Sequence, residues 1–176
     1  MAVIATLVVG ANHATSLGGL SAPLSTPADR ARFLTLHRRA GAIIIGRESA
    51  AIENYQRTKV PIFVYSRNSA PLTFSHPLMQ QVTVDRNLGE LTKVLDERIV
   101  GDIVIESGAS LLVALIKTGV VDEIELTLSP IAGDGHFVDP KELLQGFEII
   151  ADETIEGTRL LKGRDKRNSS NGEANS

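Results

Sequence analysis

The sequence predicts an α/β fold: a mixed, mostly parallel sheet flanked by helices and finished by a C-terminal antiparallel hairpin. Three observations carry this class. Short apolar runs alternate with helix-like segments along most of the chain. Two of these runs, Ile43-Ile44-Ile45 and Ile103-Val104-Ile105, are apolar at every position, as strands covered on both faces are. The stretch from Gly101 to Pro130 then reads as strand, tight corner, helix and strand in succession.

Each element has its own local signals. Ala2 to Val9 is an apolar first strand, and Gly10 to Ser25 is a loop rich in Gly, Ser, Thr and Ala. A helix is expected from Pro27 to Arg39, with Thr26 as its N-cap, Pro27 at its first position and Asp29 three residues after the cap. The segment from Gly41 to Ile45 is a buried strand, and Arg47 to Tyr55 a short helix. A strand over Pro61 to Tyr65 leads into a polar loop, Ser66 to Gln80, and a strand over Gln81 to Val84. A helix over Leu88 to Arg98 precedes the central unit, whose helix spans Leu111 to Lys117 and stops at Gly119. The strand Ile124 to Leu128 follows, then an irregular segment from Ile131 to Leu144. Phe147 to Ala151 and Thr154 to Leu161 make the final hairpin. One domain over residues 1–162 is expected, with 163–176 a polar, disordered tail.

Composition removes several classes of function. The 176 residues carry a net charge of −3, so nothing marks a nucleic-acid or anionic-membrane surface. The absence of cysteine excludes disulfides, thiolate metal sites and a cysteine nucleophile, and fits a cytoplasmic protein. His13, His37, His76 and His136 have no metal-ligand spacing, so no metal is expected. Of these, His37 is read as lying on a helix surface. Asp122 and Glu123 are read as a solvated turn before a strand. Ser49 and Ser110 have no histidine partner at an evident spacing for a nucleophilic triad. Neither a GxGxxG fingerprint nor a GxxxxGK[ST] loop is present.

The corner Glu106-Ser107-Gly108-Ala109-Ser110 holds the functional interest. Small residues let a ligand approach the backbone, and the free N–H groups of a helix's first turn favour an anionic group such as a phosphate. A tight corner without a ligand is the plainer alternative. Ligands of parallel sheets bind beyond the carboxyl ends of strands. Four such ends carry small or polar residues: Gly46, Ser66, Glu106-Ser107-Gly108 and the loop after Val9.

These residues carry a resemblance. Ile105-Glu106-Ser107-Gly108-Ala109-Ser110-Leu111, Gly119-Val120-Val121-Asp122-Glu123 and Ser129-Pro130-Ile131 resemble successive elements of the dihydrofolate-reductase-like superfamily. The closest branch is the pyrimidine reductase of riboflavin biosynthesis, found as the reductase domain of the bifunctional deaminase–reductase. Ala42-Ile43-Ile44-Ile45-Gly46 with Ser49, and Pro27-Ala28-Asp29-Arg30 with Phe33, resemble further elements of the same superfamily. Ser107 replaces the first glycine of the family's usual pair. The resemblance covers roughly Ala2 to Leu161, and the reductase-like pattern starts at residue 2, with no deaminase-like segment ahead of it.

The resemblance implies NADPH as cofactor and a small-molecule substrate. Gly108, Ala109, Ser110 and Leu111 would hold its pyrophosphate at a helix N-terminus, and Gly46, Arg47 and Ser49 another part. Ser66 and Arg67 would meet the 2′-phosphate, although Arg67 also fits an ordinary solvated loop. Asp29 would be the catalytic acid if the chain follows the dihydrofolate reductases; as a bare pattern, Thr26-x-x-Asp29 is also close to a capping box. Asn12 and Glu106 would contact substrate, Glu106 being equally readable as a solvated strand-end carboxylate. At Asn12-His13-Ala14 the family usually has Asp-Gly-Lys, so this part of the substrate site is rebuilt here. The implied activity is reduction of a ribosylamino-pyrimidine phosphate to its ribitylamino form. The alternatives are dihydrofolate reduction and a nucleotide-binding protein without activity. A homodimer is the expected assembly.

Overall fold

The protein is described by a computed structural model over residues 1–52, 55–68, 70–74, 76–83 and 99–169. The helix expected over 88–98 lies outside the described residues. An 8-stranded sheet organises the chain, in the order β4-β3-β2-β5-β1-β6-β8-β7. Its strands are β1 Val3–Val9, β2 Ala40–Gly46, β3 Ile62–Ser66, β4 Met79–Thr83, β5 Asp102–Glu106, β6 Glu123–Leu128, β7 Phe147–Ile155 and β8 Thr158–Asp165. Neighbours from β4 to β6 pair in parallel; β8 pairs antiparallel with both β6 and β7. This is the mixed, mostly parallel sheet ending in an antiparallel hairpin that the sequence predicts.

The helices are α1 Pro27–Arg39, α2 Arg47–Ile52, α3 Ala109–Thr118, α4 Pro140–Leu144 and α5 Lys166–Ser169. A 3₁₀ turn at Ala22–Leu24 interrupts the first loop. Helix α1 begins where its signals place it: Thr26 Oγ1 accepts from the Asp29 N–H at 3.3 Å, and Pro27 opens the first turn. Helix α3 ends at Gly119, whose φ of +79° is the left-handed conformation that glycine adopts without a Cβ penalty.

The two sheet faces bury separate cores. On one face Val3, Ala5, Val9, Ile103, Ile105, Ile124 and Leu126 pack under Leu112 and Leu115 of α3. On the other, Ile4, Ile43, Ile45, Ile62, Val64 and Val104 pack with Leu36 of α1. Ile43, Ile44 and Ile45 are all fully buried, which is why that strand has no polar face. Each contributes roughly 1.5–3 kcal/mol of burial.

The C-terminal hairpin turns at Glu156-Gly157, where φ is positive at both residues, and not at Asp152-Glu153, so β7 runs on to Ile155 and β8 starts at Thr158. Three further parts of the chain differ from the sequence reading. The segment read as irregular contains α4, capped by the Asp139 side chain accepting from the Lys141 N–H at 2.8 Å. A five-residue helix is too short to show a hydrophobic period. The helix expected to begin at Leu111 starts two residues earlier, because Gly108 is its N-cap. The tail expected from 163 is ordered as far as Ser169: β8 runs to Asp165, which is buried, and α5 follows. The Asp165 N–H donates to the Asp122 carbonyl at 2.8 Å, so pairing partners hold a stretch that its own polarity does not mark.

Asp122 and Glu123 are also more than a solvated turn. The Asp122 carboxylate accepts from the Val3 N–H at 2.8 Å and from Asn168 at 2.9 Å. Glu123 opens β6 and pairs with Lys162 at 2.7 Å. A strand start needs partners for the N–H groups that the ladder does not use.

Candidate active site

The order β3-β2-β5-β1 brings four predicted strand ends to neighbouring positions along one edge of the sheet: Ser66, Gly46, Glu106-Ser107-Gly108 and the loop after Val9. At the centre of this edge β5 turns into α3. Gly108 caps α3 without any side-chain hydrogen bond, and a Cβ added there would meet nothing within 4 Å. The first-turn N–H groups therefore face an open approach. A Cβ on Gly46 would meet only Leu111 Cδ2, at 3.8 Å. Ser107 is buried, and its hydroxyl is the one buried side-chain polar atom without a hydrogen-bond partner among the described residues.

Two arginines border this edge. Arg47 starts α2, is exposed, and follows Gly46 directly; Ser49 lies half-buried in the same helix. Ser66 is buried and shapes a turn, its Oγ donating to the Asn68 carbonyl at 2.9 Å and accepting from the Asn68 N–H at 3.2 Å. That turn presents Arg67 to solvent. Burial pushes the Tyr65 hydroxyl above the usual tyrosine range, with the nearby Arg67 charge opposing.

Under α1 the chemistry is different. Asp29 accepts from Ser25 Oγ at 2.5 Å and from Thr127 Oγ1 of β6. Arg32, one turn on, donates to Thr127 Oγ1 at 2.6 Å and to the Leu161 carbonyl at 3.1 Å. Its guanidinium lies 3.7 Å from Glu125, and the two side chains are only 17% and 10% exposed. Burial pulls the Arg32 pKa below the usual arginine value, against the charges of Glu125 and Asp29. Further along α1, His37 pairs with Glu106 and stacks on Phe33, ring centroids 4.2 Å apart. His37 therefore meets the end of β5 rather than the solvent, next to Leu36, which packs into the core under α1. Glu106 accordingly is a paired carboxylate, not a solvated strand end.

Asn12 is placed in a clasp between two loops. Its amide donates to the Gly133 carbonyl at 2.9 Å, and its Oδ1 accepts from the Gly133 N–H at 3.0 Å. Asp134 accepts from the Gly18 N–H at 3.0 Å, and the Thr15 hydroxyl donates to the His136 carbonyl at 2.7 Å. His13 has φ +69°, the conformation that a glycine at this position would adopt most easily. Gly10 allows the close approach of the two loops; a Cβ there would sit 2.6 Å from the Ile131 carbonyl oxygen.

Residues 9–145 match the family described as the RibD C-terminal domain. The chain belongs to the RibD C-terminal domain family. Among curated proteins none matches it. Solved structures share its fold. A Shewanella protein titled as a riboflavin biosynthesis protein is 18% identical, covers 95% of this chain and 100% of its own, and gives a TM-score of 0.72. RibD of Acinetobacter baumannii is 15% identical over 94% of this chain, with a TM-score of 0.72; the chain spans 58% of that protein. Dihydrofolate reductase of Enterococcus faecalis, solved with NADP(H), is 14% identical, covers 94% of this chain and 96% of its own, and gives a TM-score of 0.67.

In this RibD-type chain the edge residues fit a dinucleotide phosphate. Gly46 and Gly108 leave room for one, the α3 N–H groups and the Ser107 hydroxyl are donors awaiting an acceptor, and Arg47 and Arg67 are exposed cations. Sequence reasoning missed Arg32, Thr127, Glu125 and the facing role of His37. One signal was present: Glu123, Glu125 and Thr127 alternate with apolar residues, so β6 shows a polar face toward α1. Among the described residues no group of acids and histidines could hold a metal ion, and no helix is long and apolar enough to cross a membrane.

Proposed function

We propose that the protein is an NADPH-dependent reductase of the riboflavin-pathway type, converting a ribosylamino-pyrimidine phosphate to the ribitylamino form. The observation that carries this reading is the open, glycine-lined start of α3, with no side-chain cap, at the carboxyl ends of β5 and β2 in the same sheet that holds the polar network under α1. NADPH, when bound, would supply the hydride that reduces C1′ of the sugar. The chain's own residues bind and orient. Gly108, Ala109, Ser110 and Leu111 hold the pyrophosphate, aided by the α3 dipole. Gly46, Arg47 and Ser49 hold a second part of the dinucleotide, and Ser66 shapes the turn from which Arg67 meets the 2′-phosphate with its fork of donors. Asn12 keeps the loop over the substrate side in place, and Glu106 lines that side together with His37.

A second reading, dihydrofolate reduction with Asp29 as the catalytic acid, is favoured by one observation. Besides Ser25, just ahead of the α1 cap, the Asp29 carboxylate bonds across to Thr127 of β6, which a capping role alone does not need. NADPH oxidation by the purified protein, measured with the pyrimidine phosphate and dihydrofolate side by side, separates the readings. Turnover of the pyrimidine supports the first, and turnover of dihydrofolate that is lost in Asp29→Asn supports the second. NADPH binding with neither substrate turned over leaves a nucleotide-binding protein. We take the working form to be a cytoplasmic homodimer, since β7 is an edge strand with Ile149, Ile150 and Ile155 exposed. A monomer at all concentrations in sedimentation overturns that assembly.

A further inference from the structure

Two hydroxyls at the strand ends have no hydrogen bond among the described residues: Ser107, which is 5% exposed, and Tyr65, which is 6% exposed. They belong to one row. Gly46 pairs with Tyr65 across β2 and β3, and Ile45 pairs with Glu106 across β2 and β5, so Tyr65, Gly46 and Ser107 lie side by side. Successive strand residues face opposite sides of a sheet. Ser107 therefore follows Ile103 and Ile105, and Gly46 follows Ile44, onto the face under α3 that Tyr65 also joins. Gly46 is the gap in this row: a Cβ there would meet only Leu111 Cδ2, at 3.8 Å. Strands lie about 4.8 Å apart, so the residues that carry the two hydroxyls stand roughly 10 Å apart at their backbones, with Gly46 as the floor between them.

A buried hydroxyl without a partner lowers stability. Ser107 stands where the family usually has glycine, so this chain carries that loss at a corner that glycine alone would serve. The groups around the row are donors as well: the first-turn N–H groups of α3, Arg47 directly after Gly46, and Arg67 two residues past Tyr65. The Tyr65 hydroxyl lies near enough to Arg67 to feel its charge, which puts it toward the ligand edge and not toward the core. We propose that Ser107 and Tyr65 are specificity-determining residues that hold the adenosine half of the dinucleotide over Gly46. The Ser107 hydroxyl donates to the phosphate at the start of α3, and the Tyr65 hydroxyl bonds the adenosine phosphate beside Arg67. This rests on the reading of the edge as a dinucleotide site and adds two residues to it. Because only the ligand pairs these hydroxyls, affinity and fold stability do not fall together when either is removed.

The test uses the full chain and three probes: NADPH, adenosine 2′,5′-bisphosphate, which is the adenosine half with its phosphates, and reduced nicotinamide mononucleotide, which lacks that half. Calorimetric titration of Ser107→Ala and of Tyr65→Phe should show NADPH and the bisphosphate bound roughly tenfold more weakly, the effect of one hydrogen bond to a charged group. Binding of the mononucleotide should stay at the parent level. The urea midpoint should rise in Ser107→Ala and should not fall in Tyr65→Phe, since neither hydroxyl has a partner in the free protein to lose. Gly46→Ala should weaken the same two ligands by placing a methyl group in the gap. Parent-level affinity for the bisphosphate in either hydroxyl variant overturns the proposal and leaves the reductase reading intact. Weaker binding together with a lower midpoint overturns it as well, because the hydroxyls are then structural. A parent that binds neither NADPH nor the bisphosphate overturns both. Tyr65→Phe, which removes a single oxygen, keeps the test decisive should Ser107→Ala fail to fold.

Discussion

At the ends of β3, β2 and β5 the chain offers glycines, backbone N–H groups and two solvated arginines; under α1 it offers side chains already bonded to one another. The first region is bare. Gly108 has no capping partner, Ser107 no bond, and Arg67 projects into solvent. The second is closed: Asp29, Arg32, Thr127 and Glu125 form one connected network. A bare site has little to lose when a residue changes and depends on a ligand for its value. A connected buried network loses stability with any member, because the remaining groups stay buried without partners.

The largest effect should come from Glu125→Ala. It leaves Arg32 buried with a weakened counter-charge, and urea denaturation should show a loss of about 3 kcal/mol. A loss near zero would mean that water screens this pair and that the two regions do not differ in the way described. Next is Arg67→Ala, which should leave the denaturation midpoint unchanged. NADPH binding should weaken by about 1.5–3 kcal/mol, roughly ten- to a hundredfold, with NADH binding almost unaffected. Equal loss of both cofactors would make Arg67 structural and remove the contrast from the other side. Thr127→Val should cost roughly 1–3 kcal/mol of stability, since it takes an acceptor from Arg32 and a donor from Asp29 together.

The smallest effect is acid sensitivity far from both regions. Burial alone would raise the Asp102 pKa, but the Arg39 hydrogen bond and the Ala2 N–H hold it below the usual carboxylate range. The Arg167 hydrogen bond lowers that of Asp165, outweighing its burial. A folded-state pKa below the unfolded value stabilises above the unfolded value, about 3.9, and the gain is lost as pH falls through the folded value. Stability should therefore be level near neutral pH and decline below about pH 4, with a shallower decline in Asp102→Asn. Denaturation midpoints across that interval check it. A decline that begins near neutral pH would point to other groups.

Most of the bare region was legible in the sequence. Corner, helix start and small strand ends depend on residues within a few positions of one another, and small residues at a strand end have few other uses. The start of α1 was legible for the same reason, since Thr26, Pro27 and Asp29 act within one turn. The closed region was half hidden. Asp29 stood out, but its partner is 98 residues away. His37 and Glu106 are 69 apart, and Asn12 reaches Gly133 across 121.

By itself, then, the sequence determined where most of the chain runs straight, where most of it coils and where small residues open a helix start. Periodicity, capping and side-chain size are properties of neighbours along the chain. Only the tertiary structure decided the strand order β4-β3-β2-β5-β1-β6-β8-β7, and with it which side chains meet. Parallel register sets Val8 beside Thr127 and Ile45 beside Glu106, and the lie of α1 across those strands turns Asp29, Arg32 and His37 onto them. The end of β8 shows the same dependence. Lys162 and Arg164 look like the start of a tail, yet they pair with Glu125 and Glu123 in the ladder. A polar residue's partner is chosen by packing across the sheet, and no local pattern in the chain records that choice.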